Sequence, residues 1–299
     1  MIPYALMDVF TDRPYAGNPL AVVADAGALT AAQMQAMARE FNLSETIFIR
    51  PPADPRHAAS VRIFLPDAEI PFAGHPTIGC AIHLARAARG DGDWDMTITL
   101  EEQAGLVPVR VWQQGGVTRG ELVAPVLPRP QGPALPPDLV AAALGLAPGQ
   151  IGLPGLAPGI WAGGPAFAMI PLDDRAALAA ARPRAPHWAA LAALAPIVGA
   201  YLYAPGADCD WQARMFAPGA GVAEDPATGS ATAILAGPLA AAGRLARGDT
   251  RLTLRQGVEM GRPSDLTLTT VMDQGGLTQV RVAGAAVTLA RGQITPPPA

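Results

Sequence analysis

The chain has 299 residues, half of them hydrophobic, with 21 basic and 25 acidic side chains and a net charge of −4. This length can bury one large core or two ordinary ones, and the charge balance leaves no footprint for nucleic acid or an anionic membrane surface. All 21 positive side chains are arginine, which excludes a Walker A lysine, a pyridoxal phosphate Schiff base and a lysine general base.

The opening segment ALMDVFTDRPYAGNPLAVVADA has strand-like runs around a turn-rich centre from Asp12 to Pro19, the pattern of a hairpin with a wide tip. Thr30 begins T-A-A-Q, a capping-box pattern, and Met34, Met37 and Ala38 follow at helical spacing to about Phe41. LSETIFI and SVRIFLP read as strands separated by the polar loop PPADPRH. A helix is predicted over HPTIGCAIHLARAA, closed by Gly90, with strands in DMTITLEEQ and LVPVRVW beyond it. From about Leu127 to Ala166 the chain is rich in Pro and Gly and predicts one short helix, PDLVAAALGL. Ala-rich runs predict helices over Asp174 to Ala181 and Pro186 to Leu194, and AYLYAP and ARMFAPG read as strands. EDPATGSATAILAG starts another helix, and TRLTLRQG, DLTLTTVM, LTQVRVAG and AVTLA form a last group of short strands.

With His75 set on Asp225, AGHPTIGCAIHLAR aligns without a gap on EDPATGSATAILAG, at an offset of 150 residues. TLEEQAG from Thr99 also resembles TLRQGVEMG from Thr253. The order of strands, a small-residue helix and more strands in each half predicts a duplicated α+β unit rather than a doubly wound parallel sheet. The expected boundaries are residues 1–120 with a final strand at about 285–299 for one domain, and 121–284 for the other.

Pro76 and Pro226 suit a first helical position, and Asp225 is then placed as an N-cap. Free N–H groups at two helix entrances lined by small residues, Thr77, Gly79 and Cys80 in one and Thr228, Gly229 and Ser230 in the other, could hold an acidic substrate. The competing reading is that the glycines and alanines serve close packing of each helix beneath a sheet. Glu45, inside LSETIFI, is the carboxylate best placed for proton transfer near neutral pH, although Glu is also common on the solvent face of a strand. His83 follows His75 by eight residues, about 12 Å along a helix, too far to share a metal ion. His57 and His187 fall near loops or helix starts, no H-E-x-x-H or G-x-S-x-G pattern occurs, and two cysteines, Cys80 and Cys209, make no disulfide framework. No metal site is expected. The N-terminus lacks a signal-peptide pattern and no segment has the length of apolar residues a membrane helix needs, so a cytoplasmic location is the default.

The segments DVFTDRPYAGNPLAVV, MAREFNLSETIFI, PFAGHPTIGCAIHLA, EDPATGSATA and QGVEMGRPS, spread over nearly the whole chain, resemble the PhzF-like proteins of phenazine biosynthesis within the diaminopimelate epimerase fold. The resemblance implies two domains, each a curved, mostly antiparallel sheet around a central helix, with the active site in the cleft between them, and a homodimer. It also implies cofactor-independent isomerisation of a small carboxylate-bearing, dihydro-hydroxyanthranilate-type compound. By the same resemblance, the glutamate of the SET motif, Glu45, is the proton-shuttling acid and base, with His75 and Asp225 in the same site and Gly74, Gly229 and Ser230 contacting substrate. Relatives in the wider superfamily use a cysteine at each helix entrance, where this chain is read as having His75 and Asp225, which disfavours two-thiol racemisation. Two alternatives stay open: an epimerase or racemase with Glu45 and Asp225 as opposed bases, and a binding protein that has kept the fold without catalysis.

Overall fold

The computed structural model describes residues 1–298, which divide into two compact units, Met1–Val123 with the C-terminal residues from Ala283, and Ala124–Val282.

The first unit contains β1 (Ile2–Val9), β2 (Asn18–Val23), α1 (Ala31–Phe41), β3 (Glu45–Arg50), β4 (Ala59–Phe64), β5 (Glu69–Ile70), α2 (Gly74–Arg89), β6 (Trp94–Glu102), β7 (Gly105–Gln114) and β8 (Val117–Val123). The pairing runs β1–β2 antiparallel, β2–β3 parallel, β3–β4 antiparallel, β4–β6 parallel and β6–β7 antiparallel. The predicted capping box forms at Thr30 and Gln33, and Met34, Met37 and Ala38 of α1 are buried. Helix α2 packs against β1, β2, β3, β6, β7 and β8, so it occupies the centre of its unit. Its small residues permit this: a Cβ on Gly79 would lie 2.5 Å from Leu20 and 2.8 Å from Val9. Packing, rather than access for a ligand, therefore accounts for Gly79 and for the buried Cys80 beside it.

The second unit contains β9 (Arg129–Ala134), α3 (Pro137–Leu144), β10 (Gly159–Ala162), β11 (Ala166–Pro171), α4 (Arg175–Ala180), α5 (His187–Ala192), β12 (Gly199–Pro205), β13 (Trp211–Ala217), β14 (Val222–Asp225), α6 (Gly229–Ala241), β15 (Gly248–Gln256) and β16 (Ser264–Asp273). A last strand, β17 (Gly276–Ile294), begins in this unit and ends in the first, where it pairs with β1. The pairing repeats the first unit in order: β10–β11 antiparallel, β11–β12 parallel, β12–β13 antiparallel, β13–β15 parallel and β15–β16 antiparallel. Helix α6 is buried along nearly its whole length, as expected of a helix that is apolar on every face, and packs on β9, β10, β11 and β16.

Several expectations change. The Pro- and Gly-rich stretch holds strands β9 and β10, which pair with each other; β9 tolerates its prolines because an edge strand need not donate at every residue. LTQVRVAG and AVTLA are parts of one strand, β17. The largest correction concerns the helix entrances. Asp225 is not an N-cap: it ends β14, opposite Met215, and α6 starts four residues later at Gly229. Its carbonyl, which a helix starting at Pro226 would use, accepts instead from the Gln256 amide at 2.7 Å. Helix α2 likewise starts at Gly74, with Ala73 at its N-cap and His75 and Pro76 in its first turn. The entrances thus correspond Gly74 to Gly229, at an offset of 155 residues, which pairs His75 with Ser230 and Ile70 with Asp225.

Candidate active site

In the first unit, the β1–β2 loop turns back through Gly17, whose φ of +68° and approach to the Val9 carbonyl exclude a side chain. Asp8 accepts from the backbone N–H of Tyr15 at 2.8 Å and fixes the same loop. The turn delivers Asn18 and Pro19 to the start of β2, and the parallel β2–β3 register sets Leu20 against Glu45, the first residue of β3. Ile47 and Phe48 beyond it are buried in the core, so Glu45 sits where the strand leaves that core, its side chain 16% exposed.

Helix α2 packs on β2 and β3 and carries His75 to this point: its Nδ1 lies 3.4 Å from Glu45 Oε2. Burial lowers the imidazole to about 3, against the opposing effect of the Pro19 carbonyl. His75 is therefore neutral at neutral pH, and its contact with Glu45 is between a carboxyl group and an uncharged ring rather than an ion pair.

In the second unit, Asp225 Oδ2 accepts a 2.5 Å hydrogen bond from the Thr228 hydroxyl. Gln256, at the end of β15, accepts from the Thr228 backbone N–H at 3.1 Å and donates to the Asp225 carbonyl and to Thr228 Oγ1. Three buried bonds to one amide hold the three-residue turn between β14 and α6, and with it the Asp225 carboxylate. Gly229 and Ser230 follow as the first residues of α6, as Gly74 and His75 do in α2.

Of the six residues expected at the site, Glu45, His75 and Gly74 thus lie in the first unit, with Glu45 and His75 in contact, while Asp225, Gly229 and Ser230 lie together in the second. Thr228 was expected only as a small residue at the helix entrance, not as the partner of Asp225, and Gln256 was not singled out from sequence. Gln256 is the first residue of QGVEMGRPS, so the motif contained it, but its part in holding Asp225 depends on a contact across 31 positions.

The position of Glu45 has a counterpart in the second unit. Glu45 opens β3, which lies between parallel β2 and antiparallel β4; Gly199 opens β12, which lies between parallel β11 and antiparallel β13. The match continues one residue on, where Thr46 faces Phe64 and Ala200 faces Phe216. A Cβ on Gly199 would lie 2.4 Å from the Phe216 carbonyl oxygen. The duplicated frame therefore carries the carboxylate once.

Comparison with known proteins agrees with this frame. A solved structure of a PhzF-family phenazine biosynthesis protein from Bacillus anthracis superposes with a TM-score of 0.87 over 98% of this chain and 99% of that one, at 23% identity. A probable proline racemase from Agrobacterium radiobacter shares the fold at a TM-score of 0.65 and 14% identity, covering 99% of this chain and 93% of that one. In sequence, an uncharacterised isomerase of Mesorhizobium japonicum is 40% identical over 97% of this chain and 98% of its own length. The trans-2,3-dihydro-3-hydroxyanthranilate isomerase of Pseudomonas chlororaphis is 37% identical, covering 97% and 98% of the two chains. The fold is that of the epimerases and racemases, and the chain is an isomerase. It belongs to the phenazine biosynthesis-like protein family, PhzC-PhzF, whose pattern matches residues 7–292.

Proposed function

We propose that the chain moves a proton between two carbons of one small, carboxylate-bearing substrate, with Glu45 as the carrier and without a cofactor. The observation that carries this reading is the Glu45–His75 contact, with Gly199 at the matching position of the second unit. A carboxylate takes the proton from an activated carbon, the electron pair of that C–H bond enters the conjugated system, and the same carboxyl returns the proton at a second carbon. One acid/base group is enough for that transfer, whereas inversion of a stereocentre calls for groups on both faces. Neutral His75 orients the Glu45 carboxyl, Asp225 orients the substrate, and Gly74, Gly229 and Ser230 bind the substrate carboxylate through helix-terminal N–H groups.

The substrate proposed is trans-2,3-dihydro-3-hydroxyanthranilate or a close analogue, supported by the name of the relative from Pseudomonas chlororaphis at 37% identity. The repeated strand pairing supports reading the two units as duplicated domains, and the family resemblance supports a homodimer. Among the described residues, no helix is long and apolar enough to cross a membrane.

Turnover in deuterium oxide tests the role of Glu45. Wild type should incorporate solvent deuterium into the product, and Glu45→Gln should lose both turnover and exchange by about 100-fold or more, the usual scale for an acid/base group. A Glu45→Gln variant that exchanges and turns over like wild type removes the assignment.

A further inference from the structure

Glu102 ends β6 beneath the first turn of α2, and its surroundings are short of hydrogens. The hydroxyl of Thr77 lies 2.7 Å from the Ala73 carbonyl oxygen and 2.6 Å from Glu102 Oε1. A hydroxyl has one hydrogen to donate, and an ionised carboxylate can only accept. With Glu102 ionised, one of these two short contacts would set lone pair against lone pair. With Glu102 protonated, its O–H donates to Thr77, Thr77 donates to Ala73, and both contacts are hydrogen bonds. The bond to Ala73 matters locally, because the Thr77 backbone N–H reaches the same carbonyl only at 3.3 Å.

The second unit supplies an independent indication. Two residues before Glu102, Leu100 pairs with Ala59, the first residue of β4; two residues before Gln256, Leu254 pairs with Trp211, the first residue of β13. Glu102 and Gln256 therefore hold matching places, each ending its strand and each bonded at the entrance to its unit's central helix. Gln256 is an amide, which has one face that donates, one that accepts and no charged state at neutral pH. A protonated carboxyl is its closest acidic equivalent.

We infer that Glu102 is a neutral carboxylic acid that positions the first turn of α2, and with it Gly74 and His75, by donating to Thr77. Burial raises the carboxyl to about 7 against the opposing effect of Thr77, and Oε2 has no partner that would reward ionisation. From α2, the thiol of Cys80 faces Glu102 and is itself pushed up, first by burial and then by this carboxyl. Across the ladder, β7 opposes it with Gly105, which has no side chain. On β6, Glu101 is engaged elsewhere, with His57 and the backbone N–H groups of Ala53 and Asp54. Among these groups no cation compensates a buried carboxylate. Ionisation would turn the Thr77 hydrogen toward Glu102, leave Ala73 with the long backbone bond, and loosen the turn that holds His75.

Catalytic relevance rests on the reaction proposed above, so the test has one arm that needs no turnover. Carboxyl carbon NMR of the whole chain labelled at glutamate, with the Glu102 signal identified by its loss in Glu102→Gln, should show a midpoint near 7. In wild type, amide exchange at Thr77 and Ile78 relative to Glu102→Gln at the same pH should quicken above that midpoint. A Glu102 carboxyl titrating in the ordinary range, or exchange that stays parallel in the two proteins, overturns the inference whether or not a substrate is known. With trans-2,3-dihydro-3-hydroxyanthranilate as substrate, wild type should lose kcat above the midpoint, Glu102→Gln should not show that loss, and Thr77→Val should lower kcat on both sides of it. Coincident pH profiles for wild type and Glu102→Gln would sink the positioning role, because a purely structural side chain would give that result.

Discussion

Glu45 and His75 lie 30 positions apart and meet because one begins a strand and the other lies in the first turn of the helix packed on it. Both stand in quoted motifs, SET and GHPT, so both could be read from sequence as candidates; their contact could not. Gly199 is the reverse case, a glycine just before the strand-like run AYLYAP whose meaning appears only when β12 is set beside β3. Gly199→Ala should destabilise the chain by about 1–3 kcal/mol, the usual range for overpacking, since the added carbon meets backbone rather than a movable side chain. Urea denaturation followed by circular dichroism measures this; a loss within a few tenths of a kcal/mol would mean the strand yields easily, and the glycine could then not be said to exclude a side chain there.

At the scale of elements, the duplication extends to an ion pair. Arg62 on β4 grips Glu69 on β5 with two hydrogen bonds of 2.6 and 2.5 Å, and Arg214 on β13 grips Glu224 on β14 with two of 2.7 and 2.9 Å. Each guanidinium also lies over the phenylalanine two residues on, Phe64 or Phe216. The pairs differ in burial, with Arg62 21% and Arg214 2% exposed at the side chain. Arg214 further donates to the carbonyls of Leu178, Ala179 and Ala181, closing the C-terminal end of α4. Arg214→Ala removes a buried guanidinium and leaves the half-buried Glu224 and three carbonyls at the end of α4 without it, which should cost about 3–5 kcal/mol, whereas Arg62→Ala should cost about 1 kcal/mol, because water can replace the lost bonds. Because Glu224 precedes Asp225 on β14, Arg214→Ala should also reduce turnover in the fraction that stays folded. Equal stabilities of the two variants in urea would contradict the burial argument.

At the scale of the whole molecule, buried His75 and Glu102 titrate with opposite sign. His75 has its folded value lowered from 6.5 to about 3, so the unfolded chain binds the extra proton and stability rises with pH between about 3 and 6.5. Glu102 has its folded value raised from 4.5 to about 7, so the folded chain binds the extra proton and stability falls between 4.5 and about 7. The slopes oppose one another from 4.5 to 6.5, each at most about 1.4 kcal/mol per pH unit. Wild type should therefore show a shallower dependence in that interval than Glu102→Gln, whose stability should climb with pH through it. The difference between the two denaturation series isolates Glu102, because the exposed carboxylates titrate alike in both. A difference that stays flat from 4.5 to 7 would show that Glu102 titrates normally in the folded chain.

The sequence by itself determined the duplicated α+β plan, most of the strands and helices, the family and the candidate residues, because these depend on local patterning: apolar periodicity, turn chemistry and long motifs in order. It did not determine the correspondence between the halves. An ungapped alignment sets His75 on Asp225, whereas the helix starts and the Arg–Glu pairs set His75 on Ser230 and Glu69 on Glu224. The difference comes from the side chain of Gln256, which takes the Asp225 carbonyl and delays α6 until Gly229. Strands β9 and β10 were hidden for a similar reason, since their prolines and glycines signal turns and only the partner strand reveals an extended edge. The protonation states of His75 and Glu102 were likewise decided by burial, which residues distant in the chain impose and no local pattern encodes.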